Sequence, residues 1–137
     1  MIITENVYKK IICSLNLNDM ETGGMIGGSG NIITEFYFDL NGMGHLGSYI
    51  PDVHSMNMIL EKWIERGIHF KGLIHTHKKN KYLSDCDLHY GKRIIISINC
   101  DIILGVFVLK IQKLFFYQLS LKDEVMHVKR IDYQISE

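Results

Sequence analysis

Two histidines, His75 and His77, close an apolar run, and Ser84 and Asp87 follow after a short basic loop. Two imidazoles and one carboxylate are a donor set with which a protein holds Zn²⁺ while leaving one coordination position open. Strand side chains alternate, so His75 and His77 present two ligands in the same direction. Ser84 with Asp87 three residues on reads as a helix start, Ser84 at the N-cap and Asp87 at N3. Asp87 then supplies the third ligand from the first turn of that helix. Water in the open position has its pKa lowered to about 7. Glu21, far upstream in front of Gly23-Gly24-Met25-Ile26, is the candidate base that accepts the water's proton and returns it to a leaving amine. Ser84 is the candidate donor to the oxyanion as a carbonyl turns tetrahedral. The chemistry so described is amide hydrolysis without a covalent intermediate.

Taken singly, each piece has a plainer explanation. Ser84 and Asp87 alone make an ordinary helix cap. His75 and His77 alone are polar residues at a strand end, and Glu21 alone is an acidic residue in a turn. It is their order and joint occurrence that point to a metal.

The elements that must position these residues follow from pattern. Residues 4–15 read as a helix capped by Thr4, with Val7, Tyr8, Ile11 and Leu15 on one face. Residues 21–28 read as a short buried strand whose glycines admit another backbone or a ligand, and 32–39 as its hairpin partner. Residues 41–50 are glycine-rich and without period, which predicts a loop. Asp52 caps a second helix with Val53, Met56, Ile59, Leu60, Trp63 and Ile64 as its buried stripe and Gly67 at its end. Residues 70–76 form a nearly apolar, central strand. A third helix begins at Ser84 and is expected to end near Gly91. Residues 94–98, 102–109 and 113–120 read as strands, with a last edge strand over 128–135. This order predicts an α/β sandwich with a mixed β-sheet flanked by helices.

Composition bounds the rest. The chain has 137 residues, 47% of them hydrophobic, so one domain over 1–137 with its own core is expected. Fifteen basic and fifteen acidic residues cancel, which gives no electrostatic case for nucleic acid or for a membrane surface as partner. Lys78, Lys79 and Lys81 make a small local basic patch. The three cysteines, Cys13, Cys86 and Cys100, form no disulfide or CxxC pattern and read as thiols of a reducing compartment. With no signal-peptide pattern and no apolar run of spanning length, a cytoplasmic location is expected.

The residues also resemble a family. Glu21-Thr22-Gly23-Gly24-Met25-Ile26-Gly27-Gly28 looks like the Glu-x-Gly-Gly-apolar-apolar-x-Gly opening of prokaryotic JAB domains. His75-Thr76-His77 followed by Ser84-x-x-Asp87 resembles the JAMM metalloprotease motif of the same group, also called MPN+. The resemblance covers nearly the whole chain and implies a cytidine-deaminase-like JAB/MPN sandwich with one zinc. It implies His75, His77 and Asp87 as ligands, Glu21 as base and Ser84 as oxyanion helper. It further implies hydrolysis of an amide next to the C-terminal glycine of a ubiquitin-like or sulfur-carrier protein, with the stretches 41–50 and 78–83 flanking the substrate groove. Two positions depart from the family pattern: six residues rather than seven separate His77 from Ser84, and Lys78 stands where a proline is usual. Two other outcomes are compatible with the same motif, a non-catalytic module of this fold kept as a scaffold and a zinc peptidase for peptides unrelated to ubiquitin.

Overall fold

In the computed structural model, which describes residues 1–16, 21–45 and 48–137, the chain runs β1 (Ile2–Thr4), α1 (Glu5–Leu15), β2 (Gly23–Ser29), β3 (Ile32–Phe38), β4 (Met43–His45), β5 (Ser48–Ile50) and α2 (Val53–Glu65). It continues through β6 (His69–His77), α3 (Asp85–Ile98), β7 (Ile102–Val108), β8 (Lys113–Lys122), β9 (Val125–Ile131) and β10 (Gln134–Ser136). Eight strands form one sheet in the order β10-β1-β3-β2-β6-β7-β8-β9, and β4 pairs with β5 alone. The sheet is mixed: β6 and β7 are parallel, whereas β2 runs antiparallel to both β3 and β6.

Each face of the sheet is buried under helices. Val7, Ile11 and Leu15 of α1 pack on Ile26, Ile33 and Phe36. On the other face Met56 and Trp63 of α2 and Ile95 of α3 share a second core with Leu73, Leu104 and Val106. Burying each such large apolar side chain contributes about 1.5–3 kcal/mol. Alternation divides the central strands between the two cores, Leu73 to one side and Ile74 to the other. β9 and β10 lie at opposite edges of the sheet, yet only residues 132 and 133 join them. Three chain steps reach at most about 10–11 Å, so the sheet curls until its edges approach each other. Tyr133 sits in that closure, with its ring 5.3 Å from that of Phe116 and 6.3 Å from that of Tyr8.

Several sequence expectations are corrected here. Residues 94–98 are not a strand but the second half of α3. Parallel neighbours need a crossover of a dozen or more residues, and α3 is the crossover between β6 and β7. Gly91 does not end this helix. A Cβ there would stand 2.7 Å from Leu119 Cδ2, so the missing side chain lets α3 sit close on β8. The helix stops at Asn99, which is left-handed (φ 55°) and donates its N–H to Ile95 O at 2.7 Å.

At the chain's start, residues 2–4 form β1 and the Thr4 side chain makes no capping hydrogen bond. The expected edge strand 128–135 is two strands on opposite edges. The stretch 41–50 carries the β4–β5 pair instead of structureless loop. The sequence also predicts an exit turn over 16–19, of which residues 17–19 lie outside the described residues. In α2, Ile59 and Leu60 pack on the core, but Val53 and Ile64 are exposed. No helix among the described residues is long and apolar enough to cross a membrane. The three cysteines are free.

Candidate metal centre

The face of β6 that carries Leu73 also carries His75 and His77, and it is the face covered by α3. The two histidines stand at the C-terminal end of the β6–β7 parallel pair, opposite Val106 and Val108. That pairing runs on past the strand: Leu109 N–H donates to His77 O at 2.9 Å and Lys110 N–H to Lys78 O at 3.0 Å. The ring of His75 meets that of His77 edge-on, with the two Nε2 atoms 2.8 Å apart. Asp87 spans them, its Oδ1 3.1 Å from His75 Nε2 and its Oδ2 3.3 Å from His77 Nε2. One ligand atom from each of the three residues lies within 4.8 Å of the others. The side chains are largely withdrawn from water, 9% exposed for His75, 12% for His77 and 17% for Asp87.

Local structure fixes each donor. Ser84 is the N-cap of α3, and the capping box is complete: Ser84 N–H donates to Asp87 Oδ2 at 2.8 Å and Asp87 N–H to Ser84 Oγ at 3.1 Å. This holds the carboxylate toward the imidazoles. Since Ser84 Oγ accepts in the cap, its own hydrogen is free to be donated into the cleft. His77 Nδ1 lies 3.1 Å from the Asn80 carbonyl oxygen. A carbonyl only accepts, so in the neutral ring Nδ1 carries the hydrogen and Nε2 carries the lone pair.

Glu21 reaches the same place by strand register. Gly23 is opposite His75. Thr76 N–H donates to Thr22 O at 2.9 Å, and Thr22 N–H donates to Thr76 Oγ1 at 3.0 Å. One step further along, Glu21 comes alongside His77. It is 9% exposed and lines the same cleft as the triad. The glycine that follows is a packing requirement: a Cβ on Gly23 would lie 2.5 Å from Ile74 O and 2.6 Å from the Tyr49 ring.

The electrostatics favour a cation. Burial disfavours the charge on Asp87, but hydrogen bonds from His75 and His77, the charge of His75 and the Ser84 N–H outweigh it and hold the carboxyl well below the usual carboxylate range. Burial likewise opposes protonation of His77, and the Asp87 carboxylate beside it wins, raising its pKa. Burial pushes Glu21 up, against the pull of His77 and His75 and with a push from Asp87. The donor set fits a divalent metal. Two imidazole lone pairs and a carboxylate converge, and one cation satisfies all three where no single hydrogen can.

The cleft above these residues has a volume of about 680 Å³, and its lining includes Tyr49, Ile50 and Pro51 as well as Lys78, Lys79 and Tyr82. The stretches 41–50 and 78–83 therefore both contribute to its walls. Three supporting groups carry no signal in the sequence. Asp39, 2% exposed at the end of β3, accepts from Tyr49 Oη at 2.5 Å and from Asp52 N–H at 2.8 Å, which ties β5 and the start of α2 to the main sheet. That bond and the burial of Tyr49 push its hydroxyl well above the usual tyrosine range, burial being the larger cause. Asn80 acts through a backbone carbonyl, which residue type cannot announce. Tyr117 of β8 donates its hydroxyl to Lys81 O at 2.5 Å and so pins the loop that bears Asn80.

No protein-family model matches this sequence, and no curated protein does. Solved structures do match. Protein DSY2949 from Desulfitobacterium hafniense superposes over all of this chain and 94% of its own length, with TM-score 0.73 and 14% identity. AF2198, a JAB1/MPN domain protein from Archaeoglobus fulgidus, superposes over the whole of both chains with TM-score 0.56 and 15% identity. Together with the curled mixed sheet and its flanking helices, the second match assigns this chain the JAB/MPN fold.

Proposed function

We propose that this chain is a zinc-dependent hydrolase that cleaves an amide bond next to the C-terminal glycine of a ubiquitin-like or sulfur-carrier protein. The observation that carries the proposal is the meeting of His75, His77 and Asp87 within 4.8 Å, in a cleft that also holds the buried Glu21. The JAB/MPN fold, some of whose members are metalloproteases, supports it.

His75 and His77 through Nε2 and Asp87 through its carboxylate would hold the ion. Bound zinc supplies Lewis acidity, which acidifies a water and polarises a carbonyl. Glu21 takes the water's proton on its carboxylate and delivers it to the leaving nitrogen. A carboxyl raised by burial is suited to both tasks. Ser84 O–H donates to the carbonyl oxygen as that oxygen gains charge. Tyr49 and Tyr82 line the cleft, and a tail ending in glycines would pass their rings with less hindrance than one with bulkier residues. The extended tail lies along a strand edge, where backbone hydrogen bonds hold it without regard to sequence.

The experiment is Glu21→Gln with metal content and turnover read on the same sample. The substrate is a carrier protein extended past its terminal glycine. Zinc is expected to stay at the wild-type level while kcat falls by about 10²–10⁴. Turnover that survives the substitution would remove Glu21 from the mechanism. Zinc retention by a wild-type protein that cleaves nothing would leave a metal-bearing scaffold.

A further inference from the structure

The sheet ends in an open edge. β9 pairs with β8 without a register break, and among the described residues it has no partner on its other side. None of its residues makes a backbone hydrogen bond outside that ladder. The turn into β9 shows which backbone groups are left over. Asp123 and Glu124 both have positive φ (51° and 65°), as a two-residue hairpin turn of type I′ requires. The flanking residues of such a turn, Lys122 and Val125, exchange hydrogen bonds, and an antiparallel ladder alternates from there. Val125, His127 and Lys129 therefore bond to β8, while the N–H and C=O groups of Met126 and Val128 point away from it.

Neither proline nor bulge interrupts this edge. Lys129 and Arg130 alone would guard it against indiscriminate pairing. They stand at one end only, however, and Asp123 and Glu124 stand at the other. All four are exposed, and among the described residues none forms an ion pair. The edge is acidic at its start, apolar at Met126 and Val128 and basic at its end, so it is complementary to itself when a second copy runs antiparallel.

Face matching restricts the register, because a one-residue slip turns every side chain to the wrong side. Centred on His127, the pairing sets Glu124 opposite Arg130 of the second copy and Met126 opposite its Val128, and each contact occurs twice. Met126 and Val128 then exchange across the interface the hydrogen bonds that β8 does not use. Centring on Val128 instead sets Glu124 against Asp132. Centring on Met126 carries Arg130 past the hairpin turn, where the edge strand has no residue to meet it.

We propose that two copies of this chain associate through β9, antiparallel about His127, and join their sheets into one. The contact is isologous, so it closes at a dimer. No described residue of β9 lines the metal cleft, and both clefts stay open.

Sedimentation velocity on the full chain from about 1 µM to about 500 µM follows the association, and amide exchange by NMR locates it. A shift from monomer to dimer is expected. Met126 and Val128 amides should be protected only at the high concentration, and those of His127 and Lys129 at both. Glu124→Lys and Arg130→Glu each place like charges opposite one another twice and should weaken the dimer roughly tenfold. An equimolar mixture of the two variants should associate like wild type, since every pair in the mixed dimer is again opposite in sign. Melting temperatures at low concentration check that both variants fold, and the wild-type exchange pattern decides the matter should either not. A monomer throughout the range, a dimer indifferent to both substitutions, or a mixture no tighter than its components would overturn the proposal. So would protection of Met126 and Val128 that appears only when an acidic β-forming peptide is added to a monomeric chain, which would give the edge to a strand of another protein.

Discussion

Tyr117→Phe removes one oxygen at a distance from the triad and should nonetheless weaken metal binding. Tyr117 is 8% exposed, and its hydroxyl donates to Lys81 O at 2.5 Å. The neighbouring carbonyl, that of Asn80, accepts from His77 Nδ1 at 3.1 Å. Without the hydroxyl, Lys81 O loses its partner, and an unsatisfied carbonyl shielded from water costs about 1–3 kcal/mol. The loop can avoid this cost by shifting toward solvent. The shift draws Asn80 O away from His77 and frees the ring to turn. If about 1.4 kcal/mol is transferred in this way to the metal-bound state, zinc affinity falls about tenfold. That is the low end of the range for losing an outer-shell partner directly, as suits a group acting one residue removed. A chelator-competition titration measures the affinity, and thermal unfolding of zinc-free protein confirms that the variant is folded. Nitrogen NMR of His77 reads the tautomer, which should change from Nδ1–H alone to a mixture. Wild-type affinity together with a wild-type His77 spectrum would refute the chain of contacts from Tyr117 through Asn80.

Two further outcomes follow from the same geometry. Ser84→Ala should lower kcat by about 10²–10³, the usual loss for an oxyanion donor, and destabilise the fold by about 1 kcal/mol through the lost cap; a stability loss with unchanged kcat would leave Ser84 a cap only. Zinc-free protein should have a melting temperature that depends on pH in a particular way. His77, raised in the fold, stabilises it below its ordinary value of 6.5 and ceases to as pH rises through the folded value. Asp87, lowered in the fold, stabilises it above 3.8 and ceases to as pH falls through the folded value. The zinc-free melting temperature is therefore highest between these limits and declines above pH 6.5, where added zinc restores it. A zinc-free melting temperature that climbs steadily from pH 6 to 8 would contradict this.

What could be read from the sequence was what short spacing encodes. His75 and His77 fall on one face because strand side chains alternate, and Ser84 with Asp87 makes a capping box because its two hydrogen bonds close within one turn. Glu21 could be singled out only by the glycines and apolar residues after it. Its proximity to His77 depends on the β2–β6 register, which no local pattern states. Residues 94–98 show the limit of propensity. Ile94, Ile95, Ile96 and Ile98 favour a strand intrinsically, but the crossover between two parallel strands requires a helix there. Asn99, a left-handed C-cap, is the stop signal of that helix. β1 and β10 are three residues each and pair across nearly the full length of the chain. Elements that short have no period to detect and exist only through their partners. The Asp39–Tyr49 and Tyr117–Lys81 bonds are likewise long-range, and nothing near either residue announces them.

The central claim is that two imidazoles and an aspartate of this chain grip one metal ion. X-ray absorption at the zinc edge, combined with metal quantitation, tests it directly on purified wild-type protein and on His77→Ala. One zinc per chain is expected, with two nitrogen ligands at about 2.0–2.1 Å and oxygen completing the shell, and His77→Ala should lose most of the metal while remaining folded. A folded wild-type protein that takes up no zinc, or a sulfur-ligated zinc that His77→Ala leaves untouched, would contradict the account.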